Sequence, residues 1–448
     1  MNLSRRSKNK QKVDISDLYA VKIGALWQQF KLEHMSFWTL CTYFLFEYIR
    51  PQSIYPALDI LPWAQLLLVL SVVSAFLDKS VTWTGNVENK YINIFSLILL
   101  VSSALAFKPA ASWEMIDIFI NWVLVYYLLI NIVNTERRML IFTLLYLLFS
   151  FKMAQHGAVS WASRGFSFAS WGLIGAGGWF QNSGEFAIQM LIFTSLSTGL
   201  IVGLRKYWGR YTRYFFYLMP LAGSLSIIGA SSRGSQLGLA IIGLWLLLIS
   251  KQKFKSIAVM AVLGLLLISI VPEEQIQRFQ DAGDDGTSLQ RLAYWQKGLE
   301  IIGDHPVIGI GFYNWIDYMN YLVPDGIGIR GVNQLPHNIY IQVASELGLL
   351  GLLVFILMIV SAFWMNSRTR KMTIKMGNPI WSYVAFGLDA GLIGYMVAGF
   401  FVTVFYYPFF WVQIAMIAAL YNIVNKQSKM STEKPNELSG NIHNIDGR

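Results

Sequence analysis

The chain has 448 residues, 55% of them hydrophobic and 13% charged, with a formal net charge of +10 and a mean hydropathy of +0.47. A soluble domain carries roughly 25% charged residues, so this composition excludes an ordinary soluble globular protein and indicates a polytopic membrane protein. The one cysteine, Cys41, excludes an intramolecular disulfide and any cysteine-based metal site.

Residues 1–34 are polar and basic and lack the apolar core of a cleavable signal peptide. Within them, the stretch from Leu18 to Leu32 sets Ile23, Leu26, Trp27 and Phe30 among lysines, the pattern of a surface-lying amphipathic helix. Apolar runs follow at 36–49, 61–77, 91–107, 115–133, 139–154, 186–204, 214–230, 235–250, 256–271, 339–365, 383–405 and 409–424. With some tilt, each is long enough to cross a hydrocarbon core of roughly 30 Å. The expected fold is therefore all-α, with about twelve transmembrane helices. It divides into N-terminal membrane helices at 35–213, a core at 214–365, C-terminal membrane helices at 366–424, and a polar, disordered tail at 425–448. Two acidic residues inside predicted spans, Glu346 and Asp389, are costly in lipid and should face the protein interior.

Basic residues orient this pattern, because short cytoplasmic segments hold the excess of Lys and Arg. Most of the 35 basic residues fall on the side that also holds both termini, in Arg137 and Arg138, "RKYWGRYTR" from Arg205, "KQKFK" from Lys251 and "RTRK" from Arg368. Both termini are thus expected in the cytoplasm. The positive charge is explained by topology and lipid headgroups and requires no nucleic acid.

Three segments fall on the opposite, outer face: Arg50 to Pro62, Trp161 to Glu185, and 272–336. The last, about 65 residues between the ninth and tenth spans, is too long for a mere connection and is expected to be functional. Inside it, "SLQRLAYWQKGLEIIGDHPVIGIG" predicts a helix and then a Gly/Pro turn, with Leu289, Leu292, Trp295, Leu299 and Ile302 on one face and Arg291 at its edge. That helix is either a lid whose arginine snorkels to solvent or a membrane-surface helix holding Arg291 at headgroup level. Asp281 to Asp285, "DAGDD", either holds a cation or, the preferred reading, forms a flexible solvated turn. A site on this face is out of reach of ATP and nucleotide-sugars.

Arg233 lies in the outer connection "GASSRGSQLG", against the positive-inside tendency. It is either an interfacial arginine in a tight turn or a planar fork that takes a phosphate bidentately. His337, in "LPHNIYIQVASELG", is either a helix-start histidine or a general base, since imidazole titrates near neutral pH. Two cations and a base predicted at one membrane face point to a lipid-phosphate substrate. Arg164, Gln181, Glu185 and Asn338 are further candidates for substrate contact, with helix capping as the competing role for Glu185 and Gln181. Tyr294 and Trp295 either line the lipid or glycan path or are ordinary interfacial aromatics.

"SSRGSQLG", "RLAYWQKGLEIIGDHPVIGIGFYNW" and "PHNIYIQVASELGLLGLL", in this order around one long outer loop, resemble the O-antigen ligase and O-antigen polymerase superfamily over about Phe215 to Trp364. "EYIRPQSIYPALDILPW" and "GGWFQNSGE" resemble a branch with O-glycosylation ligases and exopolysaccharide-cluster members. The resemblance implies a GT-C-like membrane enzyme of the bacterial inner membrane with a periplasmic site. Its reaction would be metal-independent, inverting transfer of a glycan from undecaprenyl diphosphate to an acceptor hydroxyl, with no cofactor. It implies that Arg233 and Arg291 hold the diphosphate and that His337 activates the acceptor. Lipid A-core as acceptor would make the chain an O-antigen ligase of lipopolysaccharide biosynthesis, the preferred reading; another lipid-linked repeat, a polymerase; a protein Ser or Thr, an oligosaccharyltransferase. A flippase also accommodates twelve spans, but its usual internal repeat is not seen here.

Overall fold

A computed structural model describes residues 13–442, apart from 168–171, 250–251, 256, 259–260, 263–264, 266–284 and 328–330. The described residues are helical and irregular, with no strand among them. The principal helices are α1 (Ile15–Tyr19), α2 (Ile23–Leu32), α3 (Met35–Tyr48), α4 (Trp63–Leu77), α5 (Val87–Ala104), α6 (Ile116–Ile132), α7 (Glu136–Ser163) and α8 (Ser183–Leu204). They continue with α9 (Arg210–Gly229), α10 (Arg233–Ile249), α11 (Gly286–Asp304), α12 (Trp315–Leu322), α13 (Ile339–Lys375), α14 (Ile380–Gly399) and α15 (Pro408–Ile442). The apolar runs from 36–49 to 235–250, and those from 339 onward, coincide with helices; 256–271 lies largely outside the described residues. Among the described residues, five helices (α7, α8, α13, α14 and α15) are long and apolar enough to cross a membrane. Leu349, Leu353 and Val360 on α13, and Val69, Val73 and Phe76 on α4, are exposed. Apolar faces of this extent are at home in lipid rather than in water.

Sequence and structure differ in three places. The expected amphipathic helix is split at Val21, whose φ is 55°, and only its second half, α2, exposes Ile23 and Trp27. The run ending at 405 stops being helical after Gly399, leaving 400–407 as an irregular loop rich in aromatic residues. The last helix continues past Asn425 to Ile442, where a disordered tail was expected; Gln427 anchors it by donating to Glu136 at 3.2 Å.

The loops sort into two ends. At one end Glu136 accepts from Tyr19, from Trp381 at 2.6 Å and from Asn378 at 3.1 Å, gathering segments expected in the cytoplasm. At the other, Trp122 donates to the carbonyl of Tyr406 at 2.8 Å and Leu173 N–H to that of Gly229 at 3.2 Å, joining segments expected outside. Two acidic side chains within the helices are hydrogen-bonded: Asp389 is buried against Arg370 and Asn366, and Glu88 accepts from Ser361.

A break in α13 fixes the outer loop. Gly348 has φ 70° and ψ −178°, a conformation essentially reserved for glycine. The backbone groups released there are taken up by the segment after α11: Leu349 N–H donates to Pro306 O at 2.8 Å, and the N–H groups of Ile310 and Gly311 donate to Ser345 O and Glu346 O at 2.9 Å each. Ser102 of α5 donates from one hydroxyl towards Ile308 O at 2.7 Å and Glu346 O at 2.8 Å, tying the junction into the bundle. A Cβ at Gly348 would sit 2.2 Å from the Val307 carbonyl oxygen. Gly348→Ala is expected to cost at least about 1–3 kcal/mol, read as a lowered Tm of the detergent-solubilised protein. Gly303→Ala, where an added Cβ meets nothing within 4 Å, should leave Tm unchanged or raise it; equal Tm for both variants would show that the break is dispensable.

Candidate functional site at the outer end

Arg233 opens α10 directly after a turn in which Ser231 adopts φ 56°. Its guanidinium reaches across to the start of α11, pairing Nη1 with Asp285 Oδ2 at 2.8 Å and donating from Nη2 to Ser288 Oγ at 3.3 Å. Asp285 is the N-cap of α11 and accepts from Thr287 N–H and Ser288 N–H at 3.1 Å each. The carboxylate read as part of a solvated acidic turn is thus an ordered counter-ion; Asp281 to Asp284 lie outside the described residues. Burial works against its charge, but bonds from Arg233, Thr287 and Ser288 outweigh it and hold the carboxyl well below the usual range. The signal was present in "DGTS", an aspartate followed by hydroxyl residues at a helix start, although its pairing with Arg233 spans 52 residues of sequence.

Arg291 lies further along α11, within electrostatic reach of both Arg233 and Asp285. It is largely buried and makes no hydrogen bond or ion pair among the described residues. Burial first, and then the like charge of Arg233, disfavour its protonated form. One turn on, Trp295 donates its indole N–H to the carbonyl of Pro336 at 2.9 Å and packs edge-on against Phe400, with ring centres 5.2 Å apart. The helix that carries Arg291 is therefore fastened to the turn that carries His337.

His337 has φ 51°, left-handed backbone that a non-glycine residue adopts at a cost. Asn338 follows as the N-cap of α13, accepting from Tyr340 N–H at 2.9 Å and Ile341 N–H at 3.1 Å. Burial, with the Arg291 charge adding to it, pulls the imidazole down to about 4, so it is neutral at neutral pH. Arg233, Arg291 and His337, far apart in sequence, form one electrostatically connected group.

The other candidates fall into different places. Tyr294 has no exposed surface; its hydroxyl donates to Ile327 O at 2.8 Å and accepts from Gln334 N–H at 2.8 Å, which assigns it to the core of the outer loop rather than to substrate contact. Asn338 is 2% exposed and serves as a cap. Glu185 completes a capping box with Asn182 on α8 and accepts a hydrogen bond from Tyr407. Arg164 is exposed at the end of α7, and Gln181 is exposed just before α8. Of the predicted apolar face of α11, Leu289, Leu292 and Leu299 are exposed, whereas Tyr294, Gly298 and Ile301 pack inward.

Beside the His337 turn is a cavity of about 230 Å³ lined by Tyr313, Trp315, Leu335, Gln342, Glu346 and Tyr406, among others. Glu346 accepts from the Tyr406 hydroxyl at 2.7 Å and from Trp315 N–H at 3.4 Å. Its bonds go to these groups and not to His337, in keeping with a structural role.

The fold and this constellation define a helical membrane protein with two arginines and a neutral imidazole at one end of its bundle. Residues 218–356 match the family described as O-Antigen ligase, a segment that holds all three side chains. An O-antigen ligase from Pseudomonas aeruginosa is 32% identical over 177 residues, which make up 39% of this chain and 39% of that protein. Over that segment the chain is similar to the O-antigen ligase superfamily. The alignment spans well under half of that relative's length.

The imidazole environment is directly measurable. In ¹⁵N-histidine spectra of the full-length protein in nanodiscs, the resonance lost in His337→Asn should titrate well below the ordinary value near 6.5, toward about 4. In Arg291→Gln the same titration should move upward, because a positive charge that opposes protonation is removed. A titration near 6.5 in the wild type, unmoved by Arg291→Gln, would overturn the coupling.

Proposed function

We propose that this protein transfers a glycan from undecaprenyl diphosphate to a hydroxyl of lipid A-core, acting as an O-antigen ligase on the periplasmic side of the bacterial inner membrane. The observation that carries the reading is Arg291: a largely buried guanidinium with no hydrogen-bond partner among the described residues, set beside a second arginine. Such a pair repels itself when empty and gains most from an anion of more than one charge. Arg233, held by Asp285, presents the second fork. A diphosphate at the end of a lipid supplies that anion at membrane depth.

The chemistry follows from the groups present. The acceptor oxygen attacks the anomeric carbon and forms the new glycosidic bond as the bond from that carbon to the diphosphate oxygen breaks. The electron pair leaves on undecaprenyl diphosphate, where the arginines stabilise the growing negative charge. The acceptor proton passes to His337, which is available because it is neutral. Attack opposite the leaving group inverts the anomeric centre. The arginines supply the positive charge, so the reading requires neither a metal nor a cofactor.

The proposed topology has about twelve spans, both termini in the cytoplasm, and the 272–336 loop in the periplasm. Its support is the sorting of basic segments to the end opposite Arg233, Arg291 and His337.

Purified protein should join glycan to lipid A-core only when both substrates are present, with activity retained in EDTA. Polymer growth from the donor alone would favour a polymerase, transfer to a protein hydroxyl an oligosaccharyltransferase, and movement of the lipid between leaflets without bond formation a flippase. His337→Ala and Arg233→Ala should each lower transfer by at least about 10²-fold while the protein still inserts. Wild-type turnover by either variant would overturn the assigned roles.

A further inference from the structure

A second cavity lies outside the matched segment. It measures about 450 Å³, within the usual range of about 300–1,000 Å³ for small-ligand sites. Two stretches far apart in sequence build it: Glu47 and Arg50 at the end of α3, and Gly178 and Trp179 just before α8. The first turns of α4 and α6 contribute Gln65, Asp117 and Asn121. All these positions belong to the end of the bundle that carries His337. Tyr407 lines this cavity and also the smaller one beside the His337 turn, so the two adjoin.

Its walls are shaped for a ligand. Arg50 adopts φ 52°, and its guanidinium lies over Gly178, where a Cβ would meet Nη1 at 2.0 Å. Glu47 is 6% exposed and lines the cavity together with Trp179. The Trp179 ring is held edge-on between Tyr407, at 4.9 Å, and Trp122, at 5.6 Å. Gln65, Asp117 and Asn121 line the cavity without any hydrogen bond or ion pair among the described residues. Fixed aromatic surface with two free amides and one free carboxylate matches a sugar ring, whose C–H faces pack on aromatic rings and whose hydroxyls need donors and acceptors. Two carboxylates against one guanidinium disfavour a phosphate.

We infer that this cavity is the acceptor subsite, holding a non-phosphorylated sugar ring of the acceptor glycan so that its hydroxyl is delivered past Tyr407 toward His337. The assignment to acceptor rather than donor rests on the transfer reaction proposed above. In that reaction the diphosphate occupies the arginines, and the acceptor approaches the base from elsewhere. The chain thereby separates two recognition tasks: the matched segment holds the lipid diphosphate, and helices outside it select the acceptor sugar.

The test uses full-length protein in nanodiscs and, as probe, core oligosaccharide freed from lipid A by mild acid. Saturation-transfer NMR should detect binding to the wild type and at least fivefold weaker binding to Asn121→Ala and to Gly178→Val, which displaces Arg50. In transfer assays both variants should raise the acceptor KM at least tenfold, with a smaller change in the donor KM. No binding to the wild type, equal binding by both variants, or a rise confined to the donor KM would overturn the subsite. Glucose 6-phosphate competing better than glucose would overturn the assignment to a non-phosphorylated sugar. Binding without transfer by the wild type would sink the ligase reading and leave the sugar site standing; transfer without saccharide binding would do the reverse.

Discussion

The outer end of this protein depends on one backbone splice. A helix that breaks in mid-course exposes N–H and C=O groups, and in a membrane protein those groups must be satisfied by other protein. At Gly348 the satisfaction comes from residues 306–311, which enter the break and bond on both sides of it. The consequence is mechanical: the segment following α11 becomes part of the α13 framework. Since α11 also donates from Trp295 to Pro336, both ends of the His337 turn are tied to one rigid body. Positioning groups on rigid elements is how a site reaches the tolerance that chemistry demands.

Backbone strain gathers at this end. Arg50, Ser231, Tyr313 and His337 all adopt left-handed φ without being glycine. Each such residue costs of order 1–3 kcal/mol and persists only where its surroundings over-determine it. Three of the four flank or form the features discussed above: the turn before Arg233, the imidazole itself, and the guanidinium over Gly178. Tyr313 lines the cavity between them, and burial, with the charges of Glu346 and Asp117 adding to it, lifts its hydroxyl to about 12. It therefore stays protonated as a hydrogen-bond donor.

Much of this was legible in the sequence because membrane physics writes it in long stretches. Apolar runs located the helices, and the outlying arginine in "GASSRG" marked the site because its charge runs against the topology. Residues with local signals were read less well. Tyr294 looked like a path-lining aromatic, yet its hydroxyl organises the loop backbone through partners more than thirty residues away. Asp285 was hidden for the same reason: N-capping is a local pattern, but a counter-ion is a long-range fact. The cavity beside Trp179 was split between two stretches that resemblance singled out separately, and only folding shows Arg50 lying over Gly178.

The electrostatics also give the acidic residue beside the two arginines a role. Two guanidinium groups facing each other in a partly buried place raise one another's energy, and burial adds to the cost. Asp285 offsets part of that cost at Arg233 while leaving Arg291 with no bonded partner. The imbalance has a direction. The unmet charge lies on the His337 side, where it adds to the larger effect of burial in disfavouring the protonated imidazole. An anion bound at Arg291 would relieve that repulsion and leave the share of the depression that is due to burial. In the proposed reaction, donor binding and the basicity of His337 would thereby be linked through a single arginine, with no moving part required.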